Sequence, residues 1–270
     1  MFINNIDPVL LHLGVFQVRY YGLVYALGFL LGYWMLRRGA KDGSIKNLNS
    51  ERADSLIIYV MLGVILGGRI FEFVFYEPGI LLSDPLEVLF IWHGGMSFHG
   101  ALIGMFIAIH IFCRKYRVRF YHVADTLTLP AAFSLILGRI ANFINGELVG
   151  TVTSPQDTPW CVIFPGVDGQ CRHPSQLYES AYSALIFLSL LGMSIRRKWR
   201  EGTIFWTFVL MYGVLRFIFN FWRDDPAVIG ISMGQILSLA MIPLAGYFLF
   251  RINRPQGPEP NSRGRKSVKH

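Results

Sequence analysis

The sequence predicts an all-α integral membrane protein of seven transmembrane helices, with its N-terminus outside and its C-terminus in the cytoplasm. Three observations carry this. The chain of 270 residues is 53% hydrophobic and only 16% charged, where a soluble domain carries about a quarter charged residues. Seven stretches approach the roughly 20 apolar residues needed to cross a hydrocarbon layer of about 30 Å. The basic residues gather in alternate loops, as cytoplasmic loops require.

The first stretch, Tyr20–Leu36, places Tyr20, Tyr21 and Tyr25 at its outer end, where an aromatic belt alone would account for them. Asp7 and Pro8 precede it and Arg37 and Arg38 follow it. It therefore reads as a retained helix rather than a cleaved signal peptide. The second, Ser55–Tyr76, leads into the segment Glu77–His93, which has acidic residues but no Lys or Arg and so fits the exterior. The third, Met96–Cys113, is introduced by "WHGGMSFHGALIG", in which His93 and His99 are separated by glycines and Gly100 and Gly104 permit close helix packing. The fourth, Val123–Ile144, runs into "GRIANFINGELVG", residues 138–150.

Residues 146–174 then form the longest exterior segment, rich in turn formers and predicted to be a small cap with a short hairpin around Cys161–Pro165. Cys161 and Cys171 both fall in it; a disulfide and two free thiols are equally open from spacing. The fifth, sixth and seventh stretches are Ser175–Ile195, Gly202–Trp222 and Ile231–Phe250. Residues 1–254 thus make one membrane domain, and the basic, Pro-rich tail 255–270 is predicted to be disordered.

Four regions, 37–52, 114–119, 196–200 and the tail after Phe250, hold 19 of the 25 basic residues. The net charge of +8 is accordingly a topology signal and an affinity for anionic headgroups. No nucleic-acid partner is expected, and no cysteine has metal-ligand spacing.

The six basic residues left over are all arginines: Arg19, Arg69, Arg139, Arg172, Arg216 and Arg223. Arg69, Arg139 and Arg216 lie within predicted spans, where a charge costs at least about 2.5 kcal/mol unless it faces a polar interior. Arg69 has Glu72 three residues on and reads as internally paired. Arg139 and Arg216 have no carboxylate one helical turn away, and a guanidinium suits phosphate through forked hydrogen bonds. Their alternative is a helix-to-helix ion pair with Glu147 or Glu179. Arg216, Asn220 and Arg223 share one helical face by spacing, as do Arg139, Asn142 and Gly146 if the helix continues that far. With Tyr21, His99, Gln176 and Gln235 early in outward-starting spans, these residues meet at one depth, a polar cavity in the outer half of the bundle.

The run 138–150 resembles the signature of bacterial prolipoprotein diacylglyceryl transferases, G-R-x-[GA]-N-F-x-N-x-E-x-x-G, met here by Gly138, Arg139, Ala141, Asn142, Phe143, Asn145, Glu147 and Gly150. "GGRI" (67–70), "GGMSFHG" (94–100), "RHPSQLYE" (172–179) and "ISMGQILS" (231–238) also resemble motifs of that family, in its order. The resemblance implies transfer of the diacylglyceryl group of phosphatidylglycerol to the lipobox cysteine thiol in a prolipoprotein signal peptide. Glycerol phosphate is released, and the reaction takes place at the bacterial inner membrane without metal or organic cofactor. It implies His99 as base, with Glu147 the second catalytic candidate for that role, Arg139 and Arg216 as essential arginines, and Tyr21, Asn142, Glu147, Gly150 and Arg223 as site residues. Gln235 is added from the seventh stretch. One departure stands out: the family often has glutamate where this chain has Asn220, and no catalytic role is assigned to Asn220. An anion channel or transporter is the alternative, although the inner halves of most spans are almost wholly apolar.

Overall fold

The computed structural model describes residues 2–13, 16–90, 95–196, 198–226 and 230–254. The predicted disordered tail and His93 lie outside these residues. The described chain is mostly helical, with α1 (Tyr20–Lys41), α2 (Ser50–Phe71), α3 (Pro78–Ser83), α4 (Phe98–Tyr116), α5 (Phe120–Asn145), α6 (Ser175–Arg196), α7 (Thr203–Phe219) and α8 (Met233–Asn253). Short strands accompany them: β1 (Phe2–Ile3), β2 (Val9–Leu13), β3 (Phe16–Arg19), β4 (Val162–Ile163) and β5 (Cys171–Arg172).

Among the described residues, five helical segments are long and apolar enough to cross a membrane: Ser50–Tyr76, Phe120–Asn145, Ser175–Arg196, Thr203–Trp222 and Met233–Asn253. The protein is thus a multi-pass membrane protein. Helices α1 and α4 lie where the first and third spans are predicted and fall outside that set of five. In α1, four tyrosines and four glycines dilute the apolar run. Large apolar side chains such as Leu30, Leu66, Leu188 and Phe250 point outward, each more than half exposed. That exposure suits lipid and would be a liability in water.

Helix ends follow local chemistry. Asn49 caps α2 by accepting from the Arg52 N–H, Ser97 caps α4 by accepting from Gly100, and Ser232 and Gln235 form a reciprocal capping box on α8. At the basic end of the bundle the Asp125 carboxylate accepts from the N–H groups of Gly202 and Phe205 and so caps α7 from a neighbouring helix.

Helices α2 and α4 pack antiparallel through glycines. A Cβ on Gly67 would sit 2.3 Å from the Gly100 carbonyl oxygen, and one on Gly104 2.0 Å from that of Gly63. The two backbones touch, as small-xxx-small pairs allow. Helix α5 packs on α1, α6 and α7, and α7 on α8. One core lies near the basic ends, around Leu36, Leu56, Phe112 and Val123; a second joins α5, α6 and α7 through Leu129, Tyr182, Ile186 and Leu190.

Segment 146–174 folds back on the chain's beginning. Strand β4 pairs parallel with β1 and antiparallel with β5, over a small core of Phe143, Val149, Val162 and Phe164. Cys161 and Cys171 are joined by a disulfide, which resolves the ambiguity left by their spacing. The β2–β3 hairpin before α1 is not anticipated by the sequence, because "VLLHL" alternates too weakly to announce a strand.

Arg69 has the structural role expected of it, reached by other means. Its buried guanidinium donates to the backbone carbonyls of Glu87, Val88, Phe90 and Gly95 and lies 4.6 Å from the centre of the Phe73 ring. It pins the segment after α2 to the helix itself.

Candidate active site

Arg139 and Asn142 lie one turn apart near the end of α5, and Arg139 Nη1 donates to Asn142 Oδ1 at 3.3 Å. Asn142 Nδ2 donates in turn to Glu147 Oε2 at 3.2 Å, and Asn145 Nδ2 to Glu147 Oε1 at 3.3 Å. The helix does not continue to Gly146, as its i, i+7 relation to Arg139 supposed. Gly146 adopts φ +68° and ends α5 in the left-handed conformation that glycine tolerates best. The nearest atom to a Cβ there is Phe164 Cδ1 at 3.7 Å, so this glycine supplies a turn rather than room for a ligand.

Glu179, in the second turn of α6, is the centre of the cluster. Its side chain is 2% exposed, and Oε2 lies 2.6 Å from Arg139 Nε. Its other oxygen, Oε1, pairs with Arg216 Nη1 and with Arg223 Nη1, the latter at 3.2 Å. Asp225 makes a second bridge, Oδ1 to Arg223 Nε at 2.7 Å and Oδ2 to Arg216 Nη2 at 3.3 Å. The helix-to-helix ion pair weighed as the alternative for Arg139 and Arg216 is therefore present, with Glu179 as the shared partner. Counting direct ion pairs, three guanidiniums nevertheless face two carboxylates, an excess of one positive charge, with the Glu147 carboxylate held one amide further away behind Asn142.

Arg216 and Arg223 do not share a helical face. Helix α7 ends at Phe219, Asn220–Trp222 form a 3₁₀ turn, and Arg223 is extended, in an antiparallel bridge with Gly150. Seven residues that would make two turns of α-helix make instead a helix end, a 3₁₀ turn and one extended, bridged residue. The arginines meet because Glu179 and Asp225 draw them together. Asn220, buried, donates from Nδ2 to Ser232 Oγ at 2.5 Å and so ties the 3₁₀ turn to the cap of α8.

Gly150 lies where the bridge forms. A Cβ there would be 2.2 Å from the His173 carbonyl oxygen and 2.7 Å from that of Trp222, so only glycine fits. Its own carbonyl accepts from Arg172 Nη1 at 2.8 Å, and the same nitrogen donates to Asp224 at 2.8 Å. Arg172 also pairs with Asp168 at 2.6 Å, and this guanidinium, first by hydrogen bonding, holds the Asp168 carboxyl below the usual carboxylate range. Burial pulls the nearby His173 imidazole below its ordinary value.

Other predicted site residues surround this cluster. Gln176 Nε2 donates to the Glu147 carbonyl at 2.7 Å, joining α6 to the segment after α5. Gln235 is buried, its Oε1 accepting from the Ser232 N–H at 3.0 Å. It therefore serves the start of α8 and is not among the partners of the arginines. Tyr21 accepts from Tyr25 Oη at 3.2 Å, and Tyr25 is within electrostatic reach of Arg139 and Glu147. His99 is the second residue of α4; its side chain lies outside the described residues. Sequence reasoning missed Asp225, whose only signal was its place two residues after Arg223. Among the described residues no group of three or more His, Cys, Asp or Glu is placed to hold a metal ion.

The arrangement is suited to binding an anion. Buried guanidiniums with a net positive excess attract a phosphate, and their forked donors fix its orientation. Residues 8–251 match the protein family described as Prolipoprotein diacylglyceryl transferase. A relative from Rhodospirillum rubrum named phosphatidylglycerol–prolipoprotein diacylglyceryl transferase is 41% identical, over 94% of each chain. Proteins of the same name from Geobacter sulfurreducens and Bordetella parapertussis are 43% and 39% identical, over 89% and 93% of this chain and 93% and 97% of their own.

Proposed function

The chain belongs to the prolipoprotein diacylglyceryl transferase family, and from that premise we propose how its arginine cluster serves the reaction. The protein is a membrane enzyme with the activity for which its relatives are named, transfer of a diacylglyceryl group from phosphatidylglycerol to prolipoprotein. In this reading the lipobox cysteine thiol of the signal peptide loses its proton and its sulfur attacks the glyceryl carbon of the lipid. A C–S bond forms as the C–O bond to phosphate breaks, giving a thioether and releasing glycerol phosphate. The setting is the bacterial inner membrane, with seven spans, a periplasmic N-terminus and a periplasmic cap over residues 146–174.

One observation carries this reading: Arg139, Arg216 and Arg223, from three separate segments, converge on one buried carboxylate with a positive charge to spare. The departing phosphate gains negative charge as its ester bond breaks. Donors already aimed at that position stabilise the transition state more than the bound lipid, and each is worth about 2.7–4 kcal/mol. Arg139 and Arg216 grip the phosphate, Arg223 and Asn142 complete its shell, and Tyr21 and Gln235 border it. Gly150 contributes through the bridge that positions Arg223. His99 takes the thiol proton, as an imidazole with an ordinary value near 6.5 can near neutral pH. Glu147 has both oxygens engaged by amides and holds Asn142 rather than acting as base.

The test uses purified protein, phosphatidylglycerol and a lipobox peptide, scoring the mass gained by the peptide. The wild-type protein adds one diacylglyceryl group, and Arg139→Ala inserts in the membrane but does not. Undiminished modification by Arg139→Ala removes that arginine from the mechanism.

A further inference from the structure

Arg216 and Arg223 are closed into a ring by two carboxylates of unlike situation. Glu179 bridges their Nη1 atoms from within, on a helix and 2% exposed. Asp225 bridges them at other edges, through Arg223 Nε and Arg216 Nη2, and at 20% is the most exposed side chain of the cluster. It sits in the non-helical segment that follows Arg223.

We propose that Asp225 is an internal stand-in for the substrate phosphate: its carboxylate occupies guanidinium edges that the lipid headgroup takes, and gives way when the lipid binds. This rests on the reading of Arg216 and Arg223 as phosphate ligands. Carboxylate and phosphate use the same forked, charge-assisted donors, so one can replace the other without the arginines moving. The arginines do not need Asp225 to stay in place, because each keeps its bond to Glu179. Glu179 cannot be the group displaced, since it is buried and is the common partner of all three arginines.

The exchange changes the charge of the site in a useful sense. With Asp225 paired, three guanidiniums face two carboxylates; with Asp225 aside they face one, and the excess rises from one positive charge to two. The phosphodiester of the bound lipid carries one negative charge, and the glycerol phosphate that leaves tends toward two. Return of Asp225 to the arginines then competes with the departing anion. Asn220, whose Oδ1 lies beside Gly234 as does Arg216 Nη2, is neutral and supplies no competing charge there.

The experiment measures KM for phosphatidylglycerol in mixed micelles and inhibition by added glycerol phosphate, for wild type and Asp225→Asn in the peptide assay. The expected result is a KM lower by roughly two- to fivefold, the range of one partly exposed ion pair. Glycerol phosphate should inhibit at correspondingly lower concentration, and kcat should not rise. An unchanged or raised KM, or a loss confined to kcat, overturns the proposal and makes Asp225 a positioning residue. Asp225→Ser repeats the measurement if the Asn variant fails to fold; if neither gives a cooperative thermal transition, Asp225 is structural and the proposal falls. A wild-type protein that modifies no peptide would instead overturn the transferase mechanism.

Discussion

Arg139 and Glu179 form an ion pair between α5 and α6, Nε to Oε2 at 2.6 Å, on a carboxylate from which solvent is almost excluded. The same carboxylate serves Arg216 and Arg223. Glu179→Gln leaves three guanidiniums with Asp225 as the remaining carboxylate of the cluster. Removing one partner of a buried pair costs about 3–5 kcal/mol. The variant should unfold at distinctly lower temperature in detergent and lose transfer activity. A variant of wild-type thermal stability would show that the cluster tolerates the unbalanced charge.

Arg139→Lys keeps the charge and loses the fork. A lysine ammonium cannot engage Glu179, Asn142 and a phosphate in fixed directions at once. Activity should fall by about 10²–10³-fold, the cost of one preorganised donor, with membrane insertion unchanged. Single-turnover transfer to a lipobox peptide measures it, and near-wild-type turnover would mean that charge alone suffices.

Gly150→Ala places a methyl group 2.2 Å from the His173 carbonyl oxygen. Backbone must move on at least one side, at a cost of about 1–3 kcal/mol. Because Gly150 is bridged to Arg223, both thermal stability and kcat should drop together. Loss of neither would show that the bridge is loose enough to absorb the methyl group.

Reduction of the Cys161–Cys171 bond, or Cys161→Ser, frees the strand that carries Arg172. Closing a loop of this size is worth about 2–4 kcal/mol. The melting temperature in detergent should fall on adding reductant, and limited proteolysis should begin within residues 157–171. A reductant-insensitive melting curve would confine the bond to a local role.

Asp168 gives the disulfide-linked segment around Arg172 a dependence on acid. Its carboxyl is held below the ordinary value by Arg172, so its contribution is fully present above the unfolded value near 3.9 and is lost as pH falls through the lower folded value. Thermal stability should be insensitive to this group between pH 5 and 8 and should decline below about pH 4. Asp168→Asn should flatten that decline, and an unaltered acid limb would assign it to other carboxylates.

The membrane class was legible because hydrophobic stretches and basic loops are properties of long windows, little affected by any one contact. The signature around Arg139 and Asn142 was legible for a related reason: both belong to one helix, where spacing fixes direction. Arg216 and Arg223 were harder. Their spacing fits a helical face, yet tertiary pairing of Arg223 with Gly150 ends the helix first, and nothing local announces a partner 73 residues away in sequence. Glu179 was visible only as one possible partner among two, since its burial depends on three helices assembling. Asp225 escaped notice because an acidic residue after a helix end ordinarily faces water.

The glycine contact between α2 and α4 has a mechanical side. Where Gly67 meets Gly100 and Gly63 meets Gly104, backbone rests on backbone, without a side chain to yield between them. The N–H of Ser97 also donates to the Gly68 carbonyl at 3.1 Å, locking the start of α4 to its neighbour. A change in the tilt of α2 is therefore passed to residue 99 without cushioning, and the segment pinned by Arg69 moves with it. The position of the α4 start is thus set by the α2 backbone on which it rests, as a gauge is set by its reference edge.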